Sequence, residues 1–128
     1  LAIPRIEHIN LTVRDPERAA AAMHAIFGWE IRWQGPAAKG GRTIHIGSHE
    51  QYFALFTGRT ELYTDAMFAK GQPLNHVGVE VDDLDSTEAR VIAAGLIPFN
   101  HDNYDPGRRF YFFDADGIEF EVVSYAKD

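Results

Sequence analysis

No cysteine occurs anywhere in the chain. That excludes disulfide staples, thiolate metal sites and a cysteine nucleophile. It is compatible with a reducing compartment, so a cytoplasmic location is the expectation. Long apolar runs are also missing, and none approaches the ~20 residues of a membrane-spanning helix. The opening stretch LAIPRIEH has neither the basic head nor the apolar core of a secretory signal. It starts with Leu rather than Met, which implies residues ahead of it. Basic residues are in deficit: 12 Lys and Arg stand against 19 Asp and Glu, a formal net charge of −7. Such a field repels a polyanion, and the densest cationic spot is only PGRRF. Neither nucleic acid nor a membrane is therefore an expected partner. What is plentiful is core-forming material. Hydrophobic residues make up 45% of 128 positions, enough for one packed domain and too many for disorder.

The chain repeats itself. IEHINLTVRD, from Ile6 to Asp15, aligns with LNHVGVEVDD, from Leu74 to Asp83. Both read apolar, polar, His, apolar, small or polar, apolar, polar, Val, any, Asp. A helical pattern follows each, and each ends near a glycine, Gly28 or Gly95. Further on, YFALFTG (Tyr52 to Gly58) aligns with EFEVVSY (Glu119 to Tyr125), so that Phe53 matches Phe120 and Ala54 matches Glu121. Recurrence of the His, the Asp and the glycine in register argues for two halves of one plan.

Local signals supply the elements. Asp15 is a helix N-cap candidate with Pro16 at the first helical position, and Ala19, Ala22, Met23 and Ile26 form an apolar stripe, predicting a helix over 16–27. A second helix is predicted over 84–94, capped by Asp83 or Asp85 and stopped by Gly95. Strands are predicted over 5–13, 29–33, 42–47, 51–57, 75–81, 97–99, 109–114 and 118–125, separated by turn sequences such as GPAAKGG, GSHE and DADG. The order is βαβββ, twice. This is an α+β chain with module one at 1–57, a connector at 58–73 with room for a short helix, and module two at 74–128.

Strand alternation then sorts the side chains. Ile9, Leu11 and Val13 face one way, as do Val77, Val79 and Val81, and Ile118, Phe120 and Val122. These are the helix-covered faces. His8, His76 and Glu121 all project from the opposite face. Two imidazoles and one carboxylate are the ligand set of a facial triad, which suits Fe(II) and also Mn(II), Zn(II) or Ni(II).

These residues resemble the vicinal oxygen chelate superfamily, which includes glyoxalase I, fosfomycin- and bleomycin-resistance proteins, methylmalonyl-CoA epimerase and extradiol dioxygenases. The resemblance covers nearly the whole chain and rests on HINLTV, NHVGVEV and FYFFDADGIEFEVV. It implies paired βαβββ modules in a cup-shaped mixed sheet with helices outside, metal ligands at His8, His76 and Glu121, and a homodimer. Two departures matter. Four-ligand members carry a carboxylate where the repeat places Ala54, with Glu50 and Gln51 nearby. Ala115 stands in the turn where the family usually has Pro.

A second similarity links His101 to Glu121 with the extradiol dioxygenase signature. It implies His101 as an acid/base group and Tyr111 as a substrate hydrogen-bonding residue, although the gap after His101 is one residue too long. Thr43 and His45 are further candidates for the same face. Arg109 stands where a fosfomycin-resistance transferase would have a small hydroxyl residue, and with Arg108 it is a candidate for holding an anionic substrate. The expectation is a metal-dependent enzyme, with Fe2+ or Mn2+ favoured, that binds two vicinal oxygens of a small-molecule substrate in a dioxygenase-like reaction. The alternatives are a metal-free drug-binding protein like the bleomycin-resistance proteins, and a glyoxalase- or epimerase-like lyase or isomerase.

Overall fold

A computed structural model describes residues 5–37, 40–68, 74–103 and 107–126. The chain divides into two compact units, Leu1–Tyr63 and Thr64–Asp128. The first holds β1 (His8–Thr12), α1 (Pro16–Phe27), β2 (Glu30–Pro36), β3 (Arg42–Gly47) and β4 (Tyr52–Thr57). The second holds β5 (Val77–Glu80), α2 (Leu84–Ala93), β6 (Phe99–Asp102), β7 (Arg108–Phe113) and β8 (Glu119–Ser124). Each unit is βαβββ, and the α+β class with tandem modules is what the chain adopts.

In the first unit the sheet order is β1-β4-β3-β2, with β1 parallel to β4 and the other pairs antiparallel. In the second it is β5-β8-β7-β6, with β5 parallel to β8. The same strand plan therefore occurs twice. Register makes the equivalences concrete. Ala54 stands opposite both Asn10 and His45, just as Glu121 stands opposite both Gly78 and Tyr111. Ala54 is thus the counterpart of Glu121 within its own sheet. Glu50 and Gln51 cannot take its place. They sit in the turn before β4, where their backbone N–H groups donate to Ser48 Oγ.

Both helices start as their caps dictate. Asp15 Oδ1 accepts from Arg18 N at 3.1 Å, and Asp83 Oδ1 accepts from Ser86 N at 3.0 Å, which selects Asp83 over Asp85. Gly28, at φ +74°, closes α1 with its N–H donating to His24 O. The buried stripe of α1 is Pro16, Ala19, Ala20, Met23 and Ile26, so Ala20 and not Ala22 completes it. The helix covers the face that carries Leu11, Ile44, Ile46, Phe53 and Leu55. In the second unit Leu84 and Val91 of α2 meet Phe110, Phe112, Phe120 and Val122, all buried.

Most element limits shift by one to three residues from expectation, β1 starting at His8 rather than at 5, and local causes are visible at β2, β6 and the connector. β2 runs on to Pro36 because its pairing with β3 continues past a bulge between Ile31 and Trp33. An edge strand tolerates that terminal proline. β6 occupies Phe99–Asp102 rather than 97–99, because Asn100 adopts φ +52° and the pairing with β7 shifts there. The connector forms two short 3₁₀ turns, Thr60–Leu62 and Asp65–Phe68, while its end at 69–73 lies outside the described residues.

The DADG turn sets the start of β8. Asp114 Oδ1 accepts from the backbone N–H of Asp116 and of Ile118, each at 2.9 Å, and Gly117 takes φ +78°. The exposed Ala115 leaves this turn intact without a proline.

Candidate metal and substrate site

In the second unit the face turned away from α2 collects the reactive residues. His76 Nε2 lies 3.0 Å from Glu121 Oε1. The other carboxylate oxygen, Oε2, accepts from Arg109 Nη1 at 2.9 Å, and these two side chains are only 13% and 12% exposed. Tyr111 stands directly opposite Glu121 in the β7–β8 register, and its ring meets the His76 ring edge-on at 5.9 Å. Phe99 and Phe113 stack beside it at 5.1 Å. The structure thus brings His76, Glu121 and Tyr111 together.

His101 is elsewhere. Its ring stacks at 6.0 Å on Phe110, a residue of the α2-facing side, and its Nε2 lies 2.7 Å from Glu88 Oε2 on α2. Without the bulge, Phe99 and His101 would share a face. The turn at Asn100 sends Phe99 to the Tyr111 side and His101 to the helix side. The structure therefore does not bring His101, expected as an acid/base group, together with His76, Glu121 and Tyr111.

In the first unit His8 lies on the sheet face opposite α1 and stacks on Tyr52 at 4.9 Å. Tyr52 also stacks with His45 at 4.7 Å and carries the Arg32 guanidinium 4.2 Å from its ring centroid. His45 occupies the register position equivalent to Tyr111. Burial pushes the His45 imidazole below its ordinary pKa, with the charges of His8 and Arg32 acting in the same direction. Thr43 shares the β3 parity of His45, so it lies on this face too. A separate cavity of about 590 Å³ in this unit lies around Arg14, Glu17, Arg42 and Thr60 and contains none of these residues.

Both histidines are held by the residue just before them. His76 Nδ1 is 2.7 Å from Asn75 Oδ1, and His8 Nδ1 is 2.9 Å from Glu7 Oε1. Glu7 Oε1 also accepts from Tyr52 Oη at 3.3 Å. The hydrogen bond from His8, more than that from Tyr52, holds the Glu7 carboxyl below the usual carboxylate range. In the sequence these two positions are simply the polar residue that precedes each repeated His. A side-chain oxygen immediately before each repeated His was the signal.

These contacts test whether the residues fit a metal ion. If Nδ1–H donates to Asn75, then Nε2 of His76 directs a lone pair towards Glu121 Oε1. Two acceptors 3.0 Å apart require a cation, either a proton or a metal ion. Two ligands that each bind a divalent ion at about 2.1 Å, at right angles, stand ~3.0 Å apart. The His76–Glu121 pair has that spacing. An acceptor on the far ring nitrogen is the usual companion of a ligating His. Among the described residues, no group of three or more His, Asp or Glu side chains is gathered as a complete metal cluster. The observed fit is therefore that of a donor pair. No helix among the described residues is long and apolar enough to cross a membrane.

Comparison with solved structures returns the same fold. A glyoxalase/bleomycin resistance protein/dioxygenase domain from Frankia sp. EAN1pec matches with TM-score 0.75 and 24% identity, covering 95% of this chain and 98% of that one. FosX, a fosfomycin resistance protein from Listeria monocytogenes, matches with TM-score 0.72 and 21% identity over 95% and 93% of the two chains. FosX has also been seen in complex with Mn(II) and sulfate. TnmS3, an antibiotic binding protein from Streptomyces sp. CB03234, matches with TM-score 0.73 and 20% identity over 97% and 98%. No match was found among curated proteins. Residues 5–122, from before β1 into β8, match the family as a whole, and the chain belongs to the Glyoxalase/Bleomycin resistance protein/Dioxygenase superfamily.

Proposed function

We propose that this chain is a divalent-metal-dependent enzyme acting on a small molecule with two adjacent oxygen atoms. The observation that carries the reading is His76 Nε2 at 3.0 Å from Glu121 Oε1, with the far nitrogen of the ring held by Asn75. His76 and Glu121 are two of the residues that would hold the ion. His8 joins them by its equivalence to His76 in the repeat and by its own Nδ1 partner, Glu7. Fe2+ or Mn2+ is favoured over Zn2+ or Ni2+. The likeness to FosX, which binds Mn(II), agrees with that preference. When bound, such an ion supplies Lewis-acid stabilisation of charge developing on the chelated oxygens.

The protein's own contributions follow from placement. Tyr111 is beside both His76 and Glu121, so its hydroxyl is the group assigned to orient a substrate oxygen. Ala54 adds no fourth ligand, which leaves more of the metal's coordination sphere for substrate than in a glyoxalase I-like site. An extradiol-dioxygenase-like reaction retains Tyr111 but must draw its acid/base group from a residue other than His101. A homodimer is part of the proposal, supported by kinship.

A second reading is favoured by one contact. Arg109 already gives Glu121 a cationic partner, as a metal-free binding protein would need. Its likeness to the antibiotic binding protein TnmS3 agrees with this alternative. Calorimetric titration with Mn(II) separates the two. The enzyme reading expects one-to-one binding that His8→Ala, His76→Ala and Glu121→Gln each weaken at least ~10-fold. Binding indifferent to all three rejects it. Oxygen uptake by Fe(II)-loaded protein across a panel of catechols then tests the dioxygenase version, which fails if no catechol is consumed.

A further inference from the structure

Arg109 departs from the pattern around it. It lies on β7 two residues before Tyr111, on the same face, and it is nearly buried. A guanidinium is costly to bury and is normally placed where a carboxylate or a ligand needs it. Here its Nη1 donates to Glu121 Oε2. That contact has two consequences. It occupies one oxygen of Glu121, so only Oε1 points at His76, and the carboxylate is fixed for one-oxygen ligation. It also cancels the carboxylate's charge. With the neutral imidazole of His76, Glu121 and Arg109 around it, a divalent ion would keep its full +2 for an incoming ligand.

We infer that Arg109 is a positioning residue for Glu121, holding it to one-oxygen contact and biasing the site towards anionic oxygen ligands over neutral ones. The inference rests on the metal reading above. It assigns the substrate to the class of small oxyanions, such as a phosphonate, a carboxylate or an enolate. A neutral diol or hydroxyketone lacks the charge that balances such a site. Arg has a second advantage over Lys here. Its planar fork holds a carboxylate in a fixed orientation, which a rotating ammonium does not.

The test uses Mn(II)-loaded protein and two probes, inorganic phosphate as the oxyanion and hydroxyacetone as the neutral vicinal-oxygen ligand. Binding of each is read from the Mn(II) electron paramagnetic resonance spectrum, not from turnover. The wild type is expected to bind phosphate at least ~10-fold more tightly than hydroxyacetone, the scale of one charge-assisted contact. In Mn(II)-loaded Arg109→Gln most of that preference should be lost, read as the ratio of phosphate to hydroxyacetone affinity. Arg109→Lys should keep the preference, because the charge remains, but with a broadened spectrum, because Glu121 is no longer fixed. Phosphate binding no tighter than hydroxyacetone in the wild type overturns the inference even if Arg109→Gln does not fold. So does an unchanged preference in a folded Arg109→Gln protein. Failure of the wild type to take up Mn(II) overturns the metal reading along with it, and is recognised at the loading step.

Discussion

Asn75 Oδ1 lies 2.7 Å from His76 Nδ1, and this contact decides which nitrogen of His76 faces Glu121. Asn75→Ala frees the ring to turn and to change tautomer. It removes no ligand and buries nothing, since Asn75 is exposed. The expected outcome is Mn(II) affinity lowered about 10- to 100-fold with thermal stability nearly unchanged. Paired calorimetry and thermal melts check it. Affinity equal to the wild type would show that the contact does not orient the ring.

His101 offers the converse case. Its partner is Glu88 across the sheet from Glu121, and its side chain is half exposed. His101→Gln should therefore leave metal uptake within about two-fold and cost no more than ~1 kcal/mol, the range of an exposed ion pair. Urea unfolding and Mn(II) titration read the two quantities. A large loss of metal binding would place His101 in the site after all.

The contrast between these residues shows how much of the molecule was legible in its sequence. Alternation put His76 and Glu121 on one face, and their 3.0 Å contact agrees with it, while Tyr111, reached through resemblance, stands opposite Glu121 in the β7–β8 register. Parity is reliable only while a strand stays regular. His101 follows Asn100, whose positive φ inserts a bulge and reverses the face, and nothing in IPFNHD announces it. Helix limits were readable because Asp15, Pro16, Asp83 and the glycines carry their own geometry. The Arg109–Glu121 contact was not readable, because it joins side chains twelve positions apart on adjacent strands. In the sequence Arg109 reads, with Arg108, as a candidate for holding an anionic substrate, and nothing there ties it to Glu121.

Stability should depend on pH through His45. Unfolded, this imidazole takes up a proton near its ordinary pKa of about 6.5, whereas in the folded chain burial lowers that value. Below the ordinary value the unfolded state therefore binds more protons, so stability falls as the solution is acidified through that window. It recovers as pH rises and is fully present above it. Glu7, whose carboxyl is held low by His8, acts in a separate and more acidic window, where its contribution is lost as pH falls. Urea midpoints of metal-free protein between about pH 5.5 and 7.5 isolate the histidine part. His45→Gln should flatten the slope there, and an unchanged slope would assign it to another group.

The central claim is that the repeated histidines and Glu121 form a metal centre. Its most direct test is the metal content, by mass spectrometry, of protein expressed natively and purified without added metal or chelator. The prediction is about one equivalent of a divalent first-row ion in the wild type, with Fe or Mn foremost, and near none in the His8→Ala/His76→Ala double variant. An equal metal content in the two proteins, or a folded wild type carrying no such ion and taking none up when offered Fe, Mn, Zn or Ni, would contradict it.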